Sequence, residues 1–369
     1  MIPVTYGSIQ LKRISCMRTS RTILNLMLGR SVGGLEYVFV QHTINFHKLG
    51  YRSVAVCHPK SPYISQLHNA GIEVLTMGNH LRNLFAWIKW IWILKHYRPD
   101  VVCMHGNRAI AFGIAKWLRL IVRPFPKLMA TTHNTRNKRF KHLDGCFAIT
   151  RILQENLIHA FGIPSSKIFY CPNAAPRPQT FKGRTHRTPL TIGFLGRHHP
   201  DKGGDILLEA CRLLKREGVP FRLEIAGEGP LREQYQEFVK THQLESKVHF
   251  CGWIDGEDKD EFFKQIDVLC LPSRREGLPV ALLEGLSYAT PLVVSSCPGM
   301  VNVIKQSPCG IVFPMEDVAA LAEALKTMAT DVEAWKAFSQ CAGSLYNDRY
   351  TIERQRERLE KGIFTVCKH

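Results

Sequence analysis

Short apolar runs alternate with amphipathic stretches along almost the whole chain. Runs at 22–28, 100–104, 127–132, 189–196, 221–226, 248–252, 266–271 and 292–295 have the length and the Val, Ile, Leu and Phe content of buried strands. Segments with apolar residues at helical spacing separate them. Among these are 35–47, 204–216, 257–265, 352–362 and a helix opening at Pro279, whose Val280, Leu283 and Leu286 share one face. Strands alternating with helices predict parallel sheets covered on both sides, an α/β fold. No short-period repeat or low-complexity tract interrupts the pattern. A chain of 369 residues has room for two domains of ordinary size. The segment 172–187, rich in Pro, Lys and Arg, predicts a linker. Residues 1–180 are therefore expected to form one domain and 181–345 a second. The last helix, within 346–369, is expected to cross back to the first. Residues 1–16 read as a loose extension, or as sequence upstream of a start at Met17.

Glycines and charged residues gather where the strands end. Open α/β sheets bind ligands outside the carboxyl ends of their strands. After 266–271 comes Ser273-Arg274-Arg275-Glu276-Gly277-Leu278, so Glu276 lies on a loop and Glu284 about one turn into the next helix. The N–H groups of Gly277, Leu278 and the helix start can hold an anion. Carboxylates beside an anion site suit a ligand with both phosphates and hydroxyls, such as a nucleotide sugar. A solvated helix with two surface acids has the same spacing. The strand 189–196 ends in Gly196, and Arg197, Lys202 and Gly203-Gly204 follow. Arg grips phosphate oxygens in bidentate fashion and Lys adds a point charge. The turn has neither GxGxxG nor a Walker pattern, which argues against dinucleotide and P-loop binding. Further on, 221–226 runs into Gly227-Glu228-Gly229-Pro230, and 248–252 ends in Gly252. Near the start, Gly33-Gly34 precedes a helix and allows close backbone approach to a ligand, although paired glycines are common in turns. The strand 127–132 leads into His133, and Arg136, Lys138, Arg139 and Lys141 form a basic cluster beyond it.

In combination and in this order, these segments resemble the retaining GT-B glycosyltransferases of family 4. The matching pieces are Gly33-Gly34, Gly196-Arg197 with Lys202-Gly203, Gly227-Glu228-Gly229-Pro230, and Glu276 with Glu284; they span nearly the whole chain. The resemblance implies two doubly wound Rossmann-like domains facing an interdomain cleft. It implies an enzyme that moves a hexose-type sugar, with retention, from a nucleotide diphosphate sugar to a membrane-associated glycan or lipid, such as a lipopolysaccharide core or related cell-surface glycan. By the same resemblance Arg197 and Lys202 hold the donor diphosphate and Glu284 accepts the ribose hydroxyls. Glu276 touches the transferred sugar, with Gly277 and Leu278 offering N–H groups. Gly33, Gly34 and Gly196 approach the donor, the loops after Gly227 and Gly252 border its base, and His133 faces its sugar. His105, Arg136, Lys138 and Arg139 are acceptor-side candidates. No metal or other cofactor is expected, because cations and N–H groups can stabilise the leaving diphosphate. Asp258-Lys259-Asp260 falls at a predicted helix start, where acids favour the dipole, and reads as capping rather than metal binding. Two positions depart from the family pattern. Asn302 stands where an acid is usual, and Asn173-Ala174 replaces an Asn-Gly turn. Neither touches the diphosphate or Glu positions.

The distribution of charge adds a partner. Residues 1–180 carry 24 Lys and Arg against 5 Asp and Glu, whereas 181–369 carry 25 against 26. A basic half calls for an anionic membrane surface, a phosphorylated acceptor or nucleic acid. No RNA or DNA module is recognisable, so no nucleic acid is expected and the membrane is preferred. The stretch 84–94 is apolar nearly all round, holds three Trp and ends in Lys95-His96-Tyr97-Arg98. It is too short to span a bilayer and fits either an interfacial helix or a buried crossover helix. Lys116, Arg119 and Arg123 fall on one helical face, solvated or lipid-facing. Twelve scattered cysteines without Cys-x-x-Cys, and no apolar leader, predict reduced thiols and a cytoplasmic protein lying peripherally on the inner face of the cytoplasmic membrane. Two other classes fit parts of the sequence. One is a GT-B nucleotide-sugar epimerase, which needs no acceptor. The other is a non-enzymatic basic nucleic-acid-binding protein, marked by steep salt dependence.

Overall fold

The computed structural model of the chain describes residues 21–30, 33–78, 81, 83–133, 138–179, 181 and 183–368. The chain divides into two compact units, Met1–Pro172 with Gln355–His369, and Asn173–Arg354.

In the first unit β1 (Thr22–Met27), β2 (Arg52–Cys57), β3 (Glu73–Thr76), β4 (Val101–His105), β5 (Lys127–Thr132), β6 (Gly145–Ala148) and β7 (Ile168–Tyr170) form a seven-stranded parallel sheet. Its order is β3-β2-β1-β4-β5-β6-β7. Helices α1 (Gly34–Lys48), α2 (Ile64–Asn69), α3 (Leu84–Tyr97), α4 (Gly106–Gly113), α5 (Leu118–Ile121) and α6 (Arg151–His159) connect the strands. Every residue of β1 and β4 is buried, as in a sheet covered on both faces. Leu24, Leu26, Val102 and Met104 pack with Trp90, Ile93 and Leu94 of α3. Ile23, Val101, Met129 and Phe147 belong to a second cluster with Leu359, Ile363 and Val366 of the C-terminal helix.

The crossover reading of the Trp-rich segment holds for one face of α3, and the other face is exposed. Asn83 caps the helix by accepting from the Phe85 N–H at 2.9 Å. Ala86, Trp90, Ile93 and Leu94 are buried, while Leu84, Phe85, Ile88 and Trp92 are 69%, 79%, 53% and 51% exposed.

In the second unit β8 (Leu190–Leu195), β9 (Phe221–Ala226), β10 (Val248–Gly252), β11 (Val268–Leu271), β12 (Leu292–Ser295) and β13 (Gly310–Phe313) form a six-stranded parallel sheet ordered β10-β9-β8-β11-β12-β13. Its helices are α7 (Gly204–Arg216), α8 (Arg232–Thr241), α9 (Gly256–Gln265), α10 (Val280–Ser287), α11 (Pro298–Gln306), α12 (Val318–Thr330) and α13 (Val332–Arg349), before the C-terminal α14 (Ile352–Lys368). Much of the segment expected to be a linker is tied to this unit. Arg184 donates to the Tyr288 carbonyl at 2.7 Å and also to those of Phe263 and Ile266, while Arg187 pairs with the buried Asp267 at 2.8 Å.

In both sheets the strand order reverses once, between β1 and β4 and between β8 and β11. Crevices form at such switch points, outside the carboxyl ends of the strands.

Candidate active site

The β8/β11 switch point gathers most of the charged residues expected to bind a donor. β8 ends at Leu195, and Gly196 and Arg197 lead into the turn Pro200–Lys202 and then α7. His199 caps this turn. Gly203 then takes φ +69°, and a Cβ there would meet the Pro272 carbonyl oxygen at 2.0 Å. The loop after β8 therefore runs against the loop after β11, and a side chain at 203 would part them. Arg274 holds the same pair of loops. Its guanidinium grips Asp205 through two bonds of 2.9 and 2.7 Å, donates to the Pro200 carbonyl at 2.7 Å, and reaches Glu316 at 2.7 Å. Within this frame Lys202 is ion-paired with Glu276. Arg197 is exposed, and among the described residues its side chain has no ion pair. The site thus presents one free guanidinium and one paired ammonium beside the N-terminus of α7.

Glu276 and Glu284 are separated in role by burial and partners. Pro279 is the N-cap of α10 rather than its first helical residue. Leu282 through Leu286 are all buried, so the helix has a wider apolar face than its spacing suggested. Glu284 is only 7% exposed and accepts from Lys259 of α9 at 2.8 Å. A carboxylate in such a place requires a cation or hydrogen-bond donors. Lys259 was not foreseen as a site residue. It lies in the Asp258-Lys259-Asp260 segment, where Asp255 is the N-cap, Asp258 sits in the first turn, and Asp260 accepts from Tyr288 and Lys264. Lys264 and Tyr288 hold the Asp260 carboxyl below the usual range.

The remaining loops interlock. Gly227 N–H donates to the Gly252 carbonyl at 2.7 Å, Gly196 N–H to Ala226 at 3.0 Å, and His198 N–H to Glu228 at 2.9 Å. His198 is fully buried, with ring nitrogens that lack partners among the described residues, and burial with nearby Arg232 lowers its pKa. Leu278 is buried, and its carbonyl accepts from the Asn173 side chain at 2.8 Å. A Cβ at Gly299 would lie 1.4 Å from the Gly277 carbonyl oxygen, so α11 can approach the glutamate loop only with glycine there. Asn302 lies farther along α11 and is partly buried.

The first unit carries a different set. Gly33 is the N-cap of α1 and Gly34 its first residue. His133 follows β5 directly, and His105 is the last residue of β4. His105, the acceptor-side candidate, is 1% exposed. It is the middle of a row of imidazoles, 5.3 Å from the His42 ring and 5.9 Å from that of His133. Burial, followed by the neighbouring imidazoles, drives its pKa well below 6.5. Burial also lowers His133 to about 4, and burial with His133 lowers His42 to about 3. All three are neutral near pH 7. Both ring nitrogens of His42 and His105, and Nε2 of His133, have no hydrogen-bond partner among the described residues. Sequence reasoning missed His42, since nothing in a helical pattern marks one inward His as part of a cluster. Of the basic cluster, Arg136 lies outside the described residues. Lys138, Arg139 and Lys141 occupy a 3₁₀ turn after β5, where Arg139 donates to the Asn107 carbonyl at 3.0 Å.

Comparison with known proteins agrees with this architecture. The chain is similar to a putative colanic acid biosynthesis glycosyltransferase, WcaL, of Escherichia coli K12, at 31% identity over 50% of this chain and 43% of that one. It spans less than half the length of the curated relatives that it matches at 31–32% identity. Among solved structures it resembles HepE of Anabaena, determined with UDP and glucose, with a TM-score of 0.78 at 15% identity over 93% of this chain and 99% of that one. It also resembles the lipopolysaccharide outer core galactosyltransferase WaaB, with a TM-score of 0.74 at 18% identity over 93% and 99%. The fold is that of the GT-B proteins. The family model described as Glycosyltransferase Family 4 matches residues 32–176, and the one described as Glycosyl transferases group 1 matches 177–342. The two matches abut and together cover most of the chain, which therefore belongs to the group 1, family 4 glycosyltransferases.

Proposed function

We propose that the protein is a retaining glycosyltransferase that moves a hexose from a nucleotide diphosphate sugar to a membrane-associated glycan or lipid acceptor. The observation that carries this reading is the grouping of Arg197, Lys202 and Glu276 around the start of α7, with the buried Glu284 one helix away. Cations and helix N–H groups suit a diphosphate, and carboxylates suit hydroxyls. HepE, determined with UDP and glucose, and WaaB, a lipopolysaccharide outer core galactosyltransferase, support the same substrate class.

Cleavage of the sugar–phosphate bond places negative charge on the leaving diphosphate. Arg197, Lys202 and the backbone N–H groups stabilise that charge as it grows, which supplies the usual role of a metal ion. Glu276 yields Lys202 to the phosphate when donor binds and turns to the sugar hydroxyls. Glu284 exchanges Lys259 for the ribose hydroxyls. His133, held neutral by burial, is the imidazole assigned to the transferred sugar. No carboxylate is assigned as a nucleophile, so the acceptor hydroxyl attacks on the face the diphosphate leaves, with a phosphate oxygen taking its proton.

The exposed surface of the first unit supports an acceptor held at a membrane. The exposed side chains Leu84, Phe85, Ile88 and Trp92 of α3 are joined to Trp117, Leu120 and Ile121 through the Trp87 ring, 5.0 Å from that of Trp117. Exposed Lys89, Lys95, Lys116, Arg119 and Arg123 flank these apolar groups. Apolar and aromatic side chains edged by cations are the make-up of a surface that enters an anionic lipid interface. No helix among the described residues is long and apolar enough to cross a membrane.

The test is incubation with UDP-, GDP- and ADP-hexoses and lipid-linked glycan acceptors, following the product's anomeric configuration by NMR. A product with the donor's configuration is expected. An inverted product contradicts retention, and a rearranged donor without transfer indicates an epimerase.

A further inference from the structure

A group of side chains unconnected with the reading above lies on the edge of the second sheet. β10 is an edge strand, paired on one side only with β9. In this register His249 stands opposite Glu224, and the pairing shifts between Phe250 and Gly252, so that Cys251 is an extra, bulged residue. His249 and Cys251 are two apart, and their side chains project with that of Glu224. The alternate residues Leu223, Ile225 and Val248 belong to the core cluster on the other face, and the partly buried Phe250 packs against it. Glu224 Oε2 lies 2.6 Å from His249 Nδ1 and 3.4 Å from Cys251 Sγ, and Sγ lies 3.7 Å from Nδ1. Among the described residues this is the one group of three such side chains whose ligand atoms all fall within 4.8 Å of one another.

We propose that Glu224, His249 and Cys251 form a binding site for a borderline-soft divalent cation of the zinc class. Zinc bonds of about 2.0–2.3 Å at tetrahedral angles place neighbouring ligand atoms about 3.3–3.6 Å apart. Both distances to the sulfur are close to that already. Only the carboxylate–imidazole distance must open, by less than about 1 Å, when the metal replaces the proton between them. A thiolate with an imidazole and one carboxylate selects zinc, cobalt or nickel over magnesium or calcium, which prefer all-oxygen sites. His249 is 70% exposed and Glu224 20%, so an ion can enter and water can complete the tetrahedron. The ion ties β9 to β10 beside the Gly227–Gly252 hydrogen bond. It is remote in role from the diphosphate site, and its presence does not depend on which sugar is transferred. Binding releases the Cys251 thiol proton, together with any proton on His249.

The experiment uses the full chain, purified without metal-affinity tags, stripped with EDTA and titrated with cobalt(II) and then zinc. A thiolate-to-cobalt absorption band in the near ultraviolet is expected, bleached by zinc and not by magnesium. Cys251→Ser should abolish the band, while His249→Ala and Glu224→Gln should weaken zinc binding about tenfold or more. His249 is exposed, so its replacement tests the site without threatening the fold. No band at micromolar cobalt, or a band retained in Cys251→Ser, overturns the proposal. Equal zinc affinity in wild type and His249→Ala does the same.

Discussion

The switch points of the two sheets have the same topology and opposite chemistry. Between β8 and β11 the side chains are charged and paired, Lys202 with Glu276, Lys259 with Glu284 and Arg274 with Asp205. Near the carboxyl ends of β4 and β5 lie three neutral imidazoles, and two of them, His42 and His105, are buried with no hydrogen-bond partner at either nitrogen among the described residues. One fold therefore carries paired charges at one switch point and a row of neutral imidazoles near the other. The first unit carries its excess cations on its surface instead. On the proposed reading, the first unit's basic, partly apolar exterior meets the acceptor. A charged, cross-braced crevice suits a small anion held the same way in every cycle.

The largest effects are expected where the paired crevice meets the chemistry. Lys202→Ala should lower kcat by about 10²- to 10³-fold, since it removes charge stabilisation at the leaving group. Glu276→Gln should leave that charge in place and lose less. Similar kcat losses in the two variants, measured with saturating donor, would show that the pair acts only as a structural clamp. Gly203→Ala should also be severe, but in stability, because its Cβ would meet the Pro272 carbonyl oxygen and its φ is positive. A chemical-denaturation midpoint unchanged from wild type would contradict that close approach.

The Lys259–Glu284 pair gives a smaller effect whose sign is informative. Lys259→Met should cost the free protein about 1 kcal/mol, because it strips a nearly buried carboxylate of its partner. The same variant should gain more stability from nucleotide than wild type does, as the ribose hydroxyls replace the lost donor. Equal nucleotide stabilisation in both proteins would mean that the ligand never displaces Lys259.

Acid acts on three imidazoles of the first unit and on His198 of the second. His42 and His133 have folded-state pKa values of about 3 and 4, and His105 shifts in the same direction. The unfolded chain takes up protons near pH 6.5 and the folded one only far below. Stability should therefore be complete above pH 6.5 and fall as pH drops towards 4, by at most about 1.4 kcal/mol per pH unit for each imidazole. His42→Gln should flatten this slope, read from denaturation curves at several pH values. The mildest change is expected at the surface. Phe85→Ser with Trp92→Ser should reduce sedimentation with anionic phospholipid vesicles about tenfold while turnover on a water-soluble acceptor stays the same. Unaltered vesicle binding would move the acceptor surface away from α3.

Much of the second crevice was legible in the sequence because its parts are local. A strand, a glycine, an arginine with a lysine five residues on, and a helix start are contiguous, and so is the stretch from Glu276 to Glu284. Their functional weight came from the order of the motifs along the chain. What was not legible depends on distant contacts. Lys259 meets Glu284 and Arg274 meets Asp205 across the sheet, 25 and 69 residues apart. His42, His105 and His133 come from α1, β4 and the end of β5, and only folding shows that they share one pocket of the core. The Trp-rich helix was ambiguous for a related reason. An all-round apolar pattern does not say which face meets the sheet, and α3 buries Trp90 while leaving Phe85 and Trp92 out. A bulge such as that at Cys251 has no sequence signature at all.

The most direct test of the donor site is thermal stability with UDP, GDP and ADP, each alone and as hexose conjugates, on wild type and Glu284→Ala. At about a hundred times its dissociation constant, a ligand specific for the folded state should add about 2.7 kcal/mol. One nucleotide should stabilise the wild type selectively, and most of that gain should vanish in Glu284→Ala. No stabilisation by any of them, or the same stabilisation in both proteins, would contradict a nucleotide-sugar site built on Glu284.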